Sequence, residues 1–257
     1  MSFKKLIDWF FSKGEINRPK KNAIEKFQMS VRATAKCRYN AAIRLSRQGK
    51  FAFFTNITLS LGLIFIPLMQ NSGISLAFES NVLNMMSIFL AVSVLVYSVV
   101  IGTAKYEVRA EGLTQCGDKL KELNRELNRS ITDSQNTDEE NKKLLEEFEK
   151  RYSAIVTDTE NHSRTDYLSA MLEMKRDYTI TGLSRFLKKS VIIISGTFPY
   201  YIPLLLLSLE VIFISDMLHI SCILTDFLNY THECNPNPIP RPTPTRPYRH
   251  ASELDAC

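Results

Sequence analysis

Residues 51–69 read FAFFTNITLSLGLIFIPLM and residues 82–102 read VLNMMSIFLAVSVLVYSVVIG, and neither stretch contains a charged side chain. At about 1.5 Å per helical residue, each is long enough for a hydrocarbon core about 30 Å thick. The twelve residues between them, QNSGISLAFESN, carry Glu79 and no Lys or Arg. This pattern predicts two membrane-spanning helices joined by a short loop. The averages hide them: 45% apolar residues and a mean hydropathy of -0.10 over 257 residues would suit a soluble protein. The apolar residues are gathered into runs, and in a bilayer the runs decide.

Charge gives the hairpin a direction. Residues 1–50 hold 13 Lys and Arg against Asp8, Glu15 and Glu25, although the whole chain has a net charge of only +5. Lys50 directly precedes the first span; Lys105 and Arg109 follow the second. The positive-inside rule puts the N-terminus and everything after residue 104 in the cytosol of a multi-pass protein. A basic block can also bind nucleic acid or anionic lipid, or be a solvated helix face. The apolar run directly after Lys50 favours the lipid surface or a cytosolic flank, and no sequence-specific nucleic-acid binding is expected. Segment 1–20 reads as an amphipathic, basic stretch. Leu6, Ile7, Trp9, Phe10 and Phe11 follow Lys4 and Lys5, but Asp8 interrupts them and the run is too short for a signal peptide.

A third apolar run, VIIISGTFPYYIPLLLLSLEVIFISDML, occupies residues 191–218 after Lys188 and Lys189. Pro199 and Pro203 interrupt its hydrogen bonding, and Glu210 and Asp216 load its second half with charge. Both a full span and a re-entrant or interfacial segment fit, and the side on which the tail lies depends on which holds. The third segment is taken as 186–230. The tail 231–257, with NPNPIPRPTPTRP, reads as an extended, disordered spacer.

The flanks read as helices over about 22–50, 103–130 and 138–185. Ile24, Phe27, Val31, Thr34, Arg38, Ala42 and Leu45 recur at helical spacing. Leu113, Cys116, Leu120, Leu123 and Leu127 form a seam at steps of three and four, as do Leu145, Phe148, Tyr152 and Ile155 after a polar turn. The fold class is therefore all-α. A transmembrane hairpin runs continuously into long cytosolic helices, an antiparallel helical hairpin follows, and then comes a third transmembrane or re-entrant segment.

No catalytic motif is present: there is no GxGxxG, P-loop, HExxH or GxSxG, so no enzyme activity and no cofactor is expected. The five cysteines include no CxxC pair. His219, Cys222, His232 and Cys234 can ligate metals, but H-x2-C-x9-H-x-C fits no familiar site, and no metal is expected. His162 and Asp166, four residues apart, would face the same way on a helix and could hydrogen-bond. In the spans, Asn56 and Ser60 lie one turn apart, and Asn84, Ser87, Ala91, Ser98 and Gly102 form a stripe of small and polar residues. Such a stripe suits close packing within the hairpin or the lining of an oligomeric pore.

These pieces resemble a known family. RATAKCRYNAAIRL enters the hairpin, YEVRAEGLTQCGDKLKEL leaves it, and ENHSRTDYLSAM follows. The resemblance is to the SLATT family of bacterial two-transmembrane effector domains, in the branch often linked to reverse-transcriptase defence loci. It covers about residues 20–185, giving a SLATT-like domain over 21–185. The residues that carry it are Arg38 and Tyr39, Tyr106, Cys116 and Gly117, Asn161 and His162, and Asp166 and Tyr167. It implies a homo-oligomeric effector of anti-phage defence that forms a pore in or disrupts the bacterial inner (cell) membrane, causing abortive infection or growth arrest. The trigger would be a sensor enzyme (reverse transcriptase or nucleotidyltransferase) or its nucleotide product. Arg38, Tyr39, Asn161, His162, Asp166 and Tyr167 would then make polar contacts that fix the cytosolic helices. The alternatives are a membrane scaffold that recruits such an enzyme through its helical hairpin, and a membrane enzyme using His162 and Asp166.

Overall fold

The computed structural model describes residues 22–132, 138–175, 177–178 and 180–225. The amphipathic segment 1–20, the turn at 133–137, the tail 231–257, His232 and Cys234 lie outside the described residues. Among the described residues there are helices and no strand. α1 spans Ala23–Asn71, α2 Ser80–Ala104, α3 Tyr106–Thr132, α4 Asp138–Thr157, α5 Arg164–Glu173, α6 Gly182–Thr197 and α7 Tyr201–Met217, with a 3-10 turn, Phe198–Tyr200, joining the last two.

α1 is one helix of 49 residues, so the basic flank and the first span are continuous, as the absence of helix breakers over 22–48 predicts. The Asn22 side chain accepts from the Ala23 N–H at 2.7 Å and caps its start. Its far end closes where the Ser72 N–H reaches the Met69 carbonyl and Gly73 takes φ +75°. α2 returns, and a single left-handed residue, Lys105 (φ 46°), separates it from α3.

The molecule has two layers. In the polar layer, α3 runs back along the first half of α1. Leu113, Cys116, Leu120, Leu123 and Leu127 are all buried, and they meet Ala41, Ala42 and Leu45 near one end of the seam, Val31 and Ala35 in the middle, and Phe148 of α4 at the other. α4 is antiparallel to α3: Arg151 pairs with Glu126, and the Cys116 thiol donates to the Ile155 carbonyl at 3.6 Å. Leu144 packs with this group alongside Tyr152 and Ile155. Helix does not persist through 138–185. It stops after Thr157, restarts at the Ser163–Asp166 capping box and ends again at Glu173.

The third apolar run divides in two. α6 lies beside residues 40–47 of α1, level with the polar layer, where Ile192 and Gly196 share a groove of about 440 Å³ with Asn40, Arg44 and Asp166. α7 then follows the apolar half of α1: the Tyr200 ring meets Phe51 edge-on at 5.0 Å, Phe213 stacks on Phe78 at 4.8 Å, and the Met217 carbonyl accepts from the Ala77 N–H at 3.2 Å. Pro199 falls in the 3-10 turn. Pro203 falls in the first turn of α7, where an N–H would be unpaired in any case, so neither proline folds the run back on itself. Among the described residues three helical stretches are thus long and apolar enough to cross a membrane, the third being α6 and α7 together, and the described chain leaves α7 at the hairpin-loop end.

Candidate functional site

The residues with the clearest chemistry sit where the polar layer meets the membrane helices. Arg38 is 1% exposed. Its guanidinium donates to the Glu160 carbonyl and, at 3.5 Å, to the Val156 carbonyl, so a buried cation closes the C-terminal end of α4. The free carbonyls there carry the negative end of the helix dipole, which compensates the buried charge without a carboxylate in direct contact. The Glu160 side chain turns the other way and takes a 2.8 Å ion pair from Arg109 at the start of α3. One short stretch after α4 thereby ties α1 to α3.

Tyr39 points to the opposite neighbour. Its hydroxyl donates to Asp118 at 2.6 Å, and its ring covers Gly117 so closely that a Cβ there would stand 3.0 Å from the ring. Tyr106 repeats the device, because a Cβ on Gly49 would lie 2.9 Å from the Tyr106 Cβ. Burial and the bond to Asp118 push the Tyr39 phenol up to about 12, and burial, helped by the Asp166 charge, pushes the Cys37 thiol up to about 11. Both are neutral at physiological pH, and Cys37 and Cys116 are free thiols.

α5 is strapped to α1 by a ladder of ion pairs. Arg44 grips Asp166 through Nε and Nη2, each at 3.0 Å; Lys36 meets Glu173 at 2.7 Å and Arg32 meets Asp177 at 3.6 Å. Asp166 also accepts from the Ser163 hydroxyl and N–H, completing the capping box. Burial raises the Asp166 carboxyl, but the bonds from Arg44 and Ser163 outweigh it and hold it below its ordinary value.

The expected His162–Asp166 pairing is not formed. His162 precedes α5, so the two residues do not share a helix face. The His162 Nδ1 is buried without a partner, and the ring stands 6.4 Å from Tyr167. Burial and the Arg38 charge lower its imidazole against the pull of Asp166. Asn161 accepts from the His162 N–H at 2.9 Å. The tie between α1 and α5 runs through Arg44 instead. Arg44 was one cation among thirteen in the basic block, and only the presence of Asp166 on a neighbouring helix distinguishes it.

In the membrane layer, the stripe residues make few contacts across helices. Ser98 donates to the Asn56 side chain at 3.2 Å, and Gln70 to Asn84 at 3.4 Å. Ser60 and Ser87 bond back to Asn56 and Leu83 of their own helices. Ala91, Ser98 and Gly102 are exposed in the single chain, and a Cβ on Gly102 would meet nothing. The intramolecular contact uses Leu83, Met86 and Leu90 against Leu59 and Ile66. His219 and Cys222 lie on the turn after α7, and among the described residues no three His, Cys, Asp or Glu side chains gather as a metal site would require.

A spanning hairpin that extends into tied polar helices defines a helical membrane protein whose polar domain is built on its own transmembrane helices. A family model, SMODS and SLOG-associating 2TM effector domain family 5, matches residues 20–214, and the chain belongs to that family. The match runs through α6 and most of α7, further than the 20–185 covered by the resemblance in the sequence. No curated protein and no solved structure matches.

Proposed function

We propose that the chain is a non-enzymatic membrane effector of bacterial anti-phage defence. In this reading, copies assemble through the exposed stripe of α2 and breach the inner membrane, and the cell dies or stops growing. The N-terminus and the polar layer are cytosolic, where a sensor enzyme or its nucleotide product reaches them. The observation that carries the reading is the coupling of the two layers. α1 is a single rod through both; Arg38, Tyr39 and Arg44 bond it to the other polar helices, and Arg109 ties α3 to the stretch after α4. Rearrangement of the polar helices therefore transmits to the membrane helices without a flexible joint. Membership of an effector-domain family supports the same reading.

The test is induced expression in a bacterial host with a membrane-potential dye. Depolarisation should accompany growth arrest, and a charged residue at Ala91 or Ser98 should abolish it while insertion continues. Full membrane potential at toxic expression levels overturns the pore. Partner recruitment that survives those charges would support the scaffold instead.

A further inference from the structure

Two acids of α7 are buried, and they are buried differently. Asp216 is 0% exposed and accepts bonds from the Ser221 hydroxyl and the Leu224 N–H, so its charge is satisfied by the turn that ends the helix. Glu210 is 2% exposed, and both carboxyl oxygens lack a hydrogen-bond partner. It is pressed onto Gly62 of α1, where a Cβ would collide with the carboxyl group. Gly62 lies near the middle of the 51–69 span, so this carboxyl sits at mid-depth in the membrane layer. Leu59 and Ile66 on α1 and Phe213 on α7, one turn away on each helix, are all buried in the same apolar cluster.

Among the described residues, no side chain there can balance a negative charge. Residues 51–70 of α1 and 80–104 of α2 contain no charged side chain. The titratable group facing inward from α2 is the Tyr97 phenol beside Thr55, two turns from Gly62, and the next acid on α7 is the already satisfied Asp216. An unpaired carboxylate in an apolar interior costs many kcal/mol, and such groups persist as neutral acids. The notch at Gly62 accepts the carboxyl only at close contact, which suits a neutral group and not a hydrated anion.

We propose that Glu210 and Gly62 form an intramembrane proton-binding site: with the proton bound, α7 is seated on α1, and loss of the proton expels α7 from the notch. This goes beyond the pore reading and does not depend on it. Small residues allow the close approach of helices in lipid, and here the small residue receives an acid.

The test uses the full chain carrying F78C and F213C, reconstituted in phosphatidylethanolamine–phosphatidylglycerol vesicles. A short bismaleimide is added between about pH 5 and about pH 9, and the 78–213 cross-link is quantified by mass spectrometry. Each value is divided by that of the same protein with E210Q, which removes the pH dependence of the thiol chemistry. The ratio should fall several-fold as pH rises, because Gln cannot lose a proton and stays seated. G62A, which displaces the carboxyl, should give low cross-linking at every pH with no further fall. A flat ratio, or a G62A profile that follows the parent, overturns the proton site. Dye leakage from the same vesicles is read separately: a pH-dependent cross-link without leakage keeps this site and removes the pore.

Discussion

α3 buries five seam residues from Leu113 to Leu127 along its length, whereas α2, nearly as long, buries Leu83, Met86 and Leu90 and leaves Val92, Leu95, Val96, Val99 and Val100 exposed. α2 is apolar nearly throughout, whereas α3 is polar outside its seam. In water apolar residues are driven together, and the seam of α3 is closed on every side by α1 and α4. In lipid the same residues are already among apolar neighbours, so no comparable force closes α2 onto the rest. The polar layer is therefore held by burial and cross-tied by ions, and the membrane layer by shape, with one carboxyl in a glycine notch.

The sharpest way to break this contrast is one substitution in each layer. Leu120 and Leu90 are 0% and 1% exposed. Leu120→Ala should cost about 3 kcal/mol, through lost transfer energy and a cavity. Leu90→Ala should cost about 1 kcal/mol, because its disordered reference state remains in lipid. Denaturant unfolding in mild micelles, followed by far-UV dichroism, measures both. Equal losses would remove the distinction between the layers.

Arg38→Met tests the ionic tie in the polar layer. It keeps most of the side-chain volume but leaves the Val156 and Glu160 carbonyls without their donor. The expected loss is about 2–3 kcal/mol, in the range for bonds to a charged group. Limited proteolysis should then cut first after α4, near residues 157–163. Unchanged protection there would mean that the α3–α4 seam alone positions α4.

How much of this the sequence shows differs between the layers. The continuity of α1, the α3 seam and the α3–α4 hairpin follow from periodicity, because buried faces repeat every three or four residues. The partners of single polar residues do not. Asp166 finds Arg44 rather than His162 because the chain stops being helical at 158–163, and a polar stretch rich in turn formers gives no fixed geometry. The basic block reads as a lipid or cytosolic flank, and within it Arg32, Lys36, Arg38 and Arg44 find particular partners on α4, α5 and the turn after α5. The division of the third run falls at Pro199, which the sequence marks, but hydropathy does not record which half lies beside which part of α1.

Asp166→Asn removes the bidentate pair with Arg44 and should cost about 2 kcal/mol near neutral pH. The sign with pH follows from its lowered value. A carboxyl held below its unfolded value of about 3.9 stabilises fully above that pH, and the gain is lost as pH falls through the folded value. The gap between wild type and D166N should therefore be constant from neutrality to about pH 5 and shrink below about pH 4. A gap that persists into strong acid would mean that the stability does not depend on the charge of this carboxylate.

The smallest effects separate two glycines on one helix. Gly112 and Gly117 both lie inside α3, where alanine is intrinsically better by about 1 kcal/mol. A Cβ on Gly112 meets nothing within 4 Å, so Gly112→Ala should gain nearly all of that. A Cβ on Gly117 stands 3.0 Å from the Tyr39 ring, and that ring is pinned by its 2.6 Å bond to Asp118. Relieving the contact means breaking the bond or shifting α1 from α3, and overpacking of this kind costs about 1–3 kcal/mol. Gly117→Ala should therefore destabilise by about 1 kcal/mol once the helix gain is subtracted. Tyr39→Phe in the G117A background frees the ring to rotate away and should recover part of the loss. If G117A is as stabilising as G112A, the Tyr39 ring is not fixed, and the polar layer is looser at that point than its hydrogen bonds imply.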